Sequence, residues 1–389
     1  QETFAPPLPP ISASEETYPY DFRTDFVDNG CFPFSTWARL SRSVLSEYSS
    51  ALLRATDPCG AAELREEIVR YLHDFRGINV SPDNILIGAG SEYLMHLVIQ
   101  LLGRDRVYAL ENPGYRKLYQ IFAVNGVTVR PTPLDKHGLR ADALAASDAS
   151  VVYLTPSHHF PLGTVMTAAR RLEILRWASE APDRYIIEDD YDSEFRFSGQ
   201  PIPALQGLIA DAPVVYIGTF SKTLYPGLRL GYVVLPRPLI GDLKSAHAEL
   251  YRGGHSLIQM ALAEFINAGH YSAHIRRMRL LYSRRRACLT ELIQRYCSPQ
   301  ALSDFSDNAG LHLILNLPDD ADDVAIARQA NAHNILVRPL SRYYLTEERK
   351  KGLLMGFASL AEAQMEPAFQ ILLECLQTLC PQALAVGEE

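Results

Sequence analysis

Two stretches of this chain set reactive side chains directly after short hydrophobic runs. In Ile186-Ile-Glu-Asp-Asp-Tyr-Asp-Ser-Glu-Phe195 an apolar run leads into five acidic residues within seven positions. So much negative charge at one strand end is costly unless a cation or several hydrogen bonds meet it. An acidic loop in water is the plainer alternative. The second stretch, Gly218-Thr-Phe-Ser-Lys-Thr-Leu-Tyr-Pro-Gly-Leu-Arg-Leu-Gly-Tyr232, also follows a hydrophobic run. It places Lys222 between Thr219, Ser221 and Arg229, 33 residues after Asp189. A lysine beside hydroxyls and an arginine, facing an acidic strand end, is placed to form a Schiff base next to an anion site. Solvated lysines are common, so it is the pair of stretches that gives this reading its weight.

Pyridoxal phosphate needs that set: an amine for its aldehyde, a carboxylate for its ring nitrogen, and donors for its phosphate. The phosphate calls for a small-residue turn at a helix N-terminus, and Gly88-Ala-Gly-Ser-Glu92 has that form. A simple N-cap serine explains the same residues. Glu111-Asn-Pro-Gly-Tyr115 puts an aromatic ring at a further strand end, where it stacks on a flat heterocycle or packs in the core.

The elements that position these groups alternate. Short β-rich runs at Ile85–Ile87, Val107–Leu110, Val127–Arg130, Val151–Thr155, Tyr185–Glu188, Val214–Gly218 and Leu230–Leu235 are separated by amphipathic stretches, which predicts a seven-stranded, mostly parallel sheet. Leu94, Leu97, Val98 and Leu101 recur at helical spacing over Ser91–Leu102, and Leu172, Leu175 and Trp177 mark a helix over Thr167–Ser179. Tyr271–Tyr296 reads as one long helix in which Arg276, Arg277, Arg279, Arg284, Arg285 and Arg286 form either a phosphate-binding patch or a solvated face. Strands at Leu311–Leu315, Ile335–Val337 and Leu353–Phe357, with helices Asp322–Ala332 and Glu362–Leu379, complete an α+β lobe.

Length and composition narrow the classes. At 389 residues the chain suits one large or two medium domains. Its 47% hydrophobic and 21% charged content excludes a disordered or disulfide-scaffold protein. With 37 basic against 45 acidic residues, a net charge of −8 argues against a surface built for nucleic acid. The six cysteines form no CxxC pair and have no histidine at ligand spacing, so they read as thiols of a reducing, cytoplasmic compartment with no metal. No apolar run reaches the roughly 18 to 20 residues of a membrane span. The first 18 residues, rich in proline, Ser/Thr and glutamate, read as a linker from something upstream.

Asp57-Pro-Cys-Gly with Leu64-Arg65, Glu111-Asn-Pro-Gly-Tyr115, Thr155-Pro-Ser-His-His-Phe-Pro-Leu-Gly163, Glu188-Asp-Asp-Tyr-Asp-Ser-Glu-Phe195 and Gly218-Thr-Phe-Ser-Lys222 resemble, in order, the aminotransferase-like domain of MocR/GabR regulators. The resemblance covers about residues 20–380 and implies fold type I of the pyridoxal phosphate enzymes. It implies a division into a linker (1–18), an N-terminal segment packing on the small domain (19–56), a large cofactor-binding domain (57–270) and a small C-terminal domain (271–389). It makes Lys222 the aldimine lysine, Asp189 the partner of the pyridinium nitrogen and Tyr191 a donor to the phenolic oxygen. Ser91 and Glu92, through backbone amides, with Thr219 and Arg229 would hold the phosphate, Tyr115 would stack on the ring, and His158 with His159 would line the cavity. Family members carry a winged helix-turn-helix ahead of this domain, so DNA would be reached only through a domain absent from these residues.

Two departures bear on function. Where fold type I aminotransferases have Asn-Pro-x-Gly, this chain has Phe160-Pro-Leu-Gly163, as the regulators do. Lys117 stands where the GABA-responsive members would hold an arginine for the effector carboxylate, so GABA is not the expected effector, and Arg338 and Arg342 are the further carboxylate-binding candidates, each equally suited to a structural salt bridge. The expectation is a homodimeric sensor in which a small amino-containing effector exchanges at Lys222. The competing expectations are a working aminotransferase acting on an amino acid and a 2-keto acid, and a scaffold that has lost its cofactor.

Overall fold

A computed structural model of the chain describes residues 18–24, 27–54, 57–199, 202–243, 254–302, 309–346 and 349–385. The expected linker therefore lies outside the described residues except for Tyr18, as does Phe26.

Among the described residues the strands are β1 (Tyr20–Asp21), β2 (Ile85–Gly88), β3 (Val107–Asn112), β4 (Thr128–Asp135), β5 (Gly138–Leu139), β6 (Val151–Leu154), β7 (Tyr185–Asp190), β8 (Val214–Thr219), β9 (Gly231–Val234), β10 (His312–Asn316), β11 (Ile335–Leu336), β12 (Arg338–Pro339) and β13 (Gly352–Gly356). The large sheet runs β2-β9-β8-β7-β6-β3-β4-β5. All seven expected strands are in it. The eighth is the two-residue β5, folded back on β4 through a turn in which Asp135 accepts the His137 N–H, and it is too short to show a period in sequence. β8, β7, β6, β3 and β4 are parallel, while β9 is antiparallel to both of its neighbours.

Chain direction across the sheet reverses between β3 and β6. That is the switch point at which open α/β sheets leave a crevice beyond the carboxyl ends of their strands.

The pleat sorts the core. Val151, Tyr153, Ile187 and Val215 face the helix Ser91–Leu102, in a cluster with Leu94, Val98 and Phe122. Val152, Leu154, Ile186 and Val214 face the other way, against Ile174 and Trp177 of the helix Ala168–Ser179, whose first turn is capped by Thr167. Both faces are apolar because helices cover both.

The smaller lobe packs the sheet β10-β13-β12 and the pair β1-β11 against the helices His270–Tyr296, Asp323–Ala332 and Glu362–Leu379. Its core joins Met278, Tyr282, Leu289, Ile326, Met355, Phe369 and Leu372. Arg276, Arg277 and Arg284 of the long helix are solvated, but Arg285 is 5% exposed and bonded to Asp28 and the Ala358 carbonyl.

The N-terminal segment divides between the lobes, which corrects its expected placement on the small one. Tyr20–Asp21 pairs with Ile335–Leu336 and Phe22 enters the small-lobe core. The helix Phe34–Glu47 instead lies on the large lobe. Phe32 and Leu40 join the cluster around Leu64 and Tyr216, Val44 meets Met260, and Trp37 packs edge-on against Phe265 at 5.7 Å. Its outer side leaves Phe34 64% and Leu45 50% exposed, and Leu53, beyond its end, is 89% exposed.

Candidate functional site

At the carboxyl ends of β3, β6, β7 and β8 lies a cleft of about 600 Å³, closed on one side by the start of the helix Ser91–Leu102 and on the other by the small lobe. Of the residues expected there, Ser91, Glu92, Tyr115, Lys117, Asp189, Tyr191, Thr219, Lys222, Arg229, Arg338 and Arg342 all line it. His158 does not.

Strand parity explains the acidic run. Odd positions of β7 follow Ile187 to the face of the helix Ser91–Leu102, so Asp189 enters the cleft. Even positions follow Ile186 to the opposite face, where Glu188 accepts the N–H groups of Leu205 and Gln206 and lies 3.9 Å from Arg171. Asp190 accepts from Tyr216 at 2.7 Å and lies 2.8 Å from Arg76. Past the strand, Asp192 meets His158 and Glu194 accepts the Tyr71 hydroxyl. Each acid thus has its own partner, and only Asp189 presents its carboxylate to the cleft from within β7.

Asp189 Oδ2 accepts a 2.5 Å hydrogen bond from Tyr153, one strand away on the same face, while the buried Oδ1 has no partner. Burial pushes this carboxyl up to about 7, with Asp190, Asp192 and Glu92 adding to the rise and the Tyr153 bond opposing it. A protonated ring nitrogen would be the donor that Oδ1 lacks, and its positive charge would return the carboxyl to the ionised form. That orphaned oxygen is the structural sign that the site fits pyridoxal phosphate.

Lys222 lies just past the end of β8, its Nζ donating to the Thr24 carbonyl at 2.5 Å. On the side expected to hold the phosphate, Thr219 Oγ1 accepts from the Ser221 amide and donates to the Ser221 hydroxyl. The first amides of the helix Ser91–Leu102 have no acceptor within the helix. Arg229, in a left-handed backbone conformation at φ 47°, reaches across to Glu92 and to the Ala89 carbonyl. Gly90, at φ 93°, holds a backbone conformation that side-chain-bearing residues rarely adopt, and a Cβ there would also crowd the Arg229 guanidinium at 3.0 Å. Burial alone would raise the Glu92 carboxyl, but bonds from Lys117 and Arg229, each 2.7 Å, hold it at about 2. Lys117 is therefore engaged by Glu92 rather than by the part of the cleft nearest Lys222.

His158 sits behind the site. Its Nδ1 lies 2.9 Å from Asp192 Oδ2 and 3.0 Å from the Tyr191 hydroxyl, so the histidine orients Tyr191 and leaves that hydroxyl's proton for the cleft. His159 is buried beside Glu111 and burial pushes it down to about 3, so it is neutral. Glu111 accepts from the backbone amide and hydroxyl of Thr155, fixing the turn after β6. Phe160 lines the cleft and packs edge-to-face on Tyr115 at 5.6 Å and Tyr343 at 5.3 Å.

Three contributors were not singled out in sequence: Tyr153, Arg76 and His312. Tyr153 hides in an apolar strand, and its odd register with Ile187 is the one signal that could have found it. His312 opens β10 and lines the cleft, its Nε2 donating to the Pro161 carbonyl at 2.8 Å, with burial pushing it down to about 3.

Residues 31–372 match the family of class I and II aminotransferases. The chain is 37% identical to YdeL, an HTH-type transcriptional regulator of Bacillus subtilis (strain 168), over 92% of this chain and 77% of that protein. It is 31% identical to MocR, the probable rhizopine catabolism regulatory protein of Rhizobium meliloti, over 90% of this chain and 71% of that one. Among solved structures, the kynurenine aminotransferase of Pyrococcus horikoshii superposes with a TM-score of 0.84 at 24% identity, covering 94% of this chain and 92% of that one.

Proposed function

Because this chain belongs to the aminotransferase class I and II family, among the HTH-type regulators that include MocR, we propose that it is the effector-sensing and dimerising domain of a MocR/GabR-type transcriptional regulator. Pyridoxal phosphate is its cofactor, and when bound it supplies an aldehyde that amines engage and a ring that withdraws electrons. Lys222 presents the chain's own amine to it. Asp189, held by Tyr153, keeps a proton on the ring nitrogen. Tyr191, oriented by His158, donates toward the phenolic oxygen. The amides of Ser91 and Glu92, with Thr219 and Arg229, hold the phosphate. Tyr115 and Phe160 supply aromatic walls that exclude water.

In this reading a small amino-containing effector competes with Lys222 for the site, and the change is passed to a separate winged-helix domain that reads DNA. The exposed apolar side of Phe34–Glu47 is the surface that a second copy would cover.

The observation that carries sensing over turnover is Phe160. The site keeps every binding group, yet an apolar ring stands where aminotransferases of this fold place the asparagine of Asn-Pro-x-Gly. The test incubates cofactor-loaded protein with an amino acid and excess 2-keto acid. Sensing predicts a saturable spectral change with less than one new amino acid per site over hours. Many products per site would mean that the protein is an aminotransferase.

A further inference from the structure

The cleft opens past the small lobe into a second cavity of about 1000 Å³, and the two share Arg116, Arg338, Arg342 and Tyr343. Arg23, Arg328 and Arg349 line the outer cavity as well. Among the described residues that lining holds six arginines and no aspartate or glutamate, on a chain whose net charge is −8. Two of the six have evident structural duties: Arg23 is neutralised by Asp21 at 2.6 Å, and Arg349 donates to the Thr346 carbonyl. Arg116, Arg328 and Arg342 are exposed and enter no ion pair with a described residue.

These arginines come from separate elements: the start of the helix Arg116–Val124, the helix Asp323–Ala332, β12, and the turn Leu340–Tyr343. They do not repeat along one solvated helix face. They converge on one concavity, where like charges repel and the local potential draws anions. Arg338 and Arg342 border both spaces, so a molecule whose amine lies at Lys222 passes them before reaching Arg328.

Resting on the reading of the inner cleft as an amine sensor, we propose that the effector is an amine bearing two acid groups. A carboxylate near the amine meets Arg338 and Arg342. A second carboxylate or phosphonate, further along the molecule, meets Arg116 and Arg328 in the outer cavity. Guanidinium groups suit both acids because they bind planar or tetrahedral oxyanions through two parallel donors.

The test titrates cofactor-loaded protein with L-norvaline, L-glutamate and L-2-amino-5-phosphonopentanoate while following the visible spectrum. The diacids should half-saturate at concentrations at least about tenfold below norvaline, the effect of one additional charge-assisted contact. In Arg116→Gln/Arg328→Gln, which removes the two guanidiniums assigned to the second acid and keeps Arg338 and Arg342, the diacids should lose that advantage while norvaline titrates as in the wild type. Diacids no better than norvaline, or an advantage untouched by the double variant, would overturn the two-acid effector and leave amine sensing standing. No spectral response to any of the three amines would instead overturn the sensing reading, and this inference with it.

Discussion

Replacing Asp189 with asparagine separates what this carboxylate does for the cofactor from what it does to the empty fold. Asparagine keeps the shape and can still accept the Tyr153 hydroxyl, so the packing around β7 should persist. What is lost is the charge facing the ring nitrogen. A hydrogen bond between charged partners contributes about 1.5 to 3 kcal/mol, so the cofactor dissociation constant should rise about 10- to 100-fold. Without cofactor the sign reverses. Burial holds the Asp189 carboxyl at about 7 against an ordinary 3.8, so as pH rises from 4 to 7 the unfolded chain ionises while the folded chain does not. The raised folded value means that stability is fully present below the unfolded pKa and falls as pH climbs to the folded one. Three units at about 1.36 kcal/mol each set an upper bound of about 4 kcal/mol on that loss, and asparagine removes it. Cofactor-stripped Asp189→Asn should therefore melt like the wild type at pH 4.5 and above it at pH 8, while binding cofactor more weakly at both. Equal cofactor affinity, or a melting difference that does not grow with pH, would refute the assignment.

Other outcomes follow from the same geometry. Lys222→Ala should lose the visible absorbance of the cofactor-loaded protein without unfolding, because the side chain leaves a cleft rather than a core; circular dichroism and absorbance read both. Arg285→Ala leaves Asp28 and the Ala358 carbonyl without their partner and should cost about 3 kcal/mol, seen as a lower urea midpoint. His158→Phe should leave cofactor affinity nearly unchanged but shift the visible band and its pH dependence, since Tyr191 loses the contact that orients it. Light scattering should give twice the 43.5 kDa chain mass, and Phe34→Asp/Leu45→Asp should shift it toward one chain.

Much of this arrangement can be read in sequence wherever a strand ends in chemistry. Asp189, Lys222 and the turn at Gly90 are adjacent in sequence to the apolar runs that position them, so period and punctuation suffice. What sequence hides is parity and partnership. Five acids after Ile187 look like one cluster, yet the pleat deals them to two faces, and Arg76 and Arg171 come from helices more than a hundred residues upstream of Asp190 and about seventeen upstream of Glu188. Tyr153 is an aromatic among valines until register sets it beside Asp189. The resemblance places His158 in the cavity, but the turn after β6 sends it behind Tyr191. The two-residue strands β5 and β12 are too short to carry a period, and the lobe that Phe34–Glu47 covers is decided by tertiary contacts with Leu64, Met260 and Phe265.

The most direct measurement is borohydride reduction of the cofactor-loaded protein followed by peptide mapping, with and without a saturating amine. The pyridoxyl label is expected on Lys222 without amine, and is expected to pass to a small-molecule adduct when amine is present. A label on any other lysine, or one that stays on Lys222 while the amine changes the spectrum, would contradict the claim that effectors are sensed by competing with Lys222.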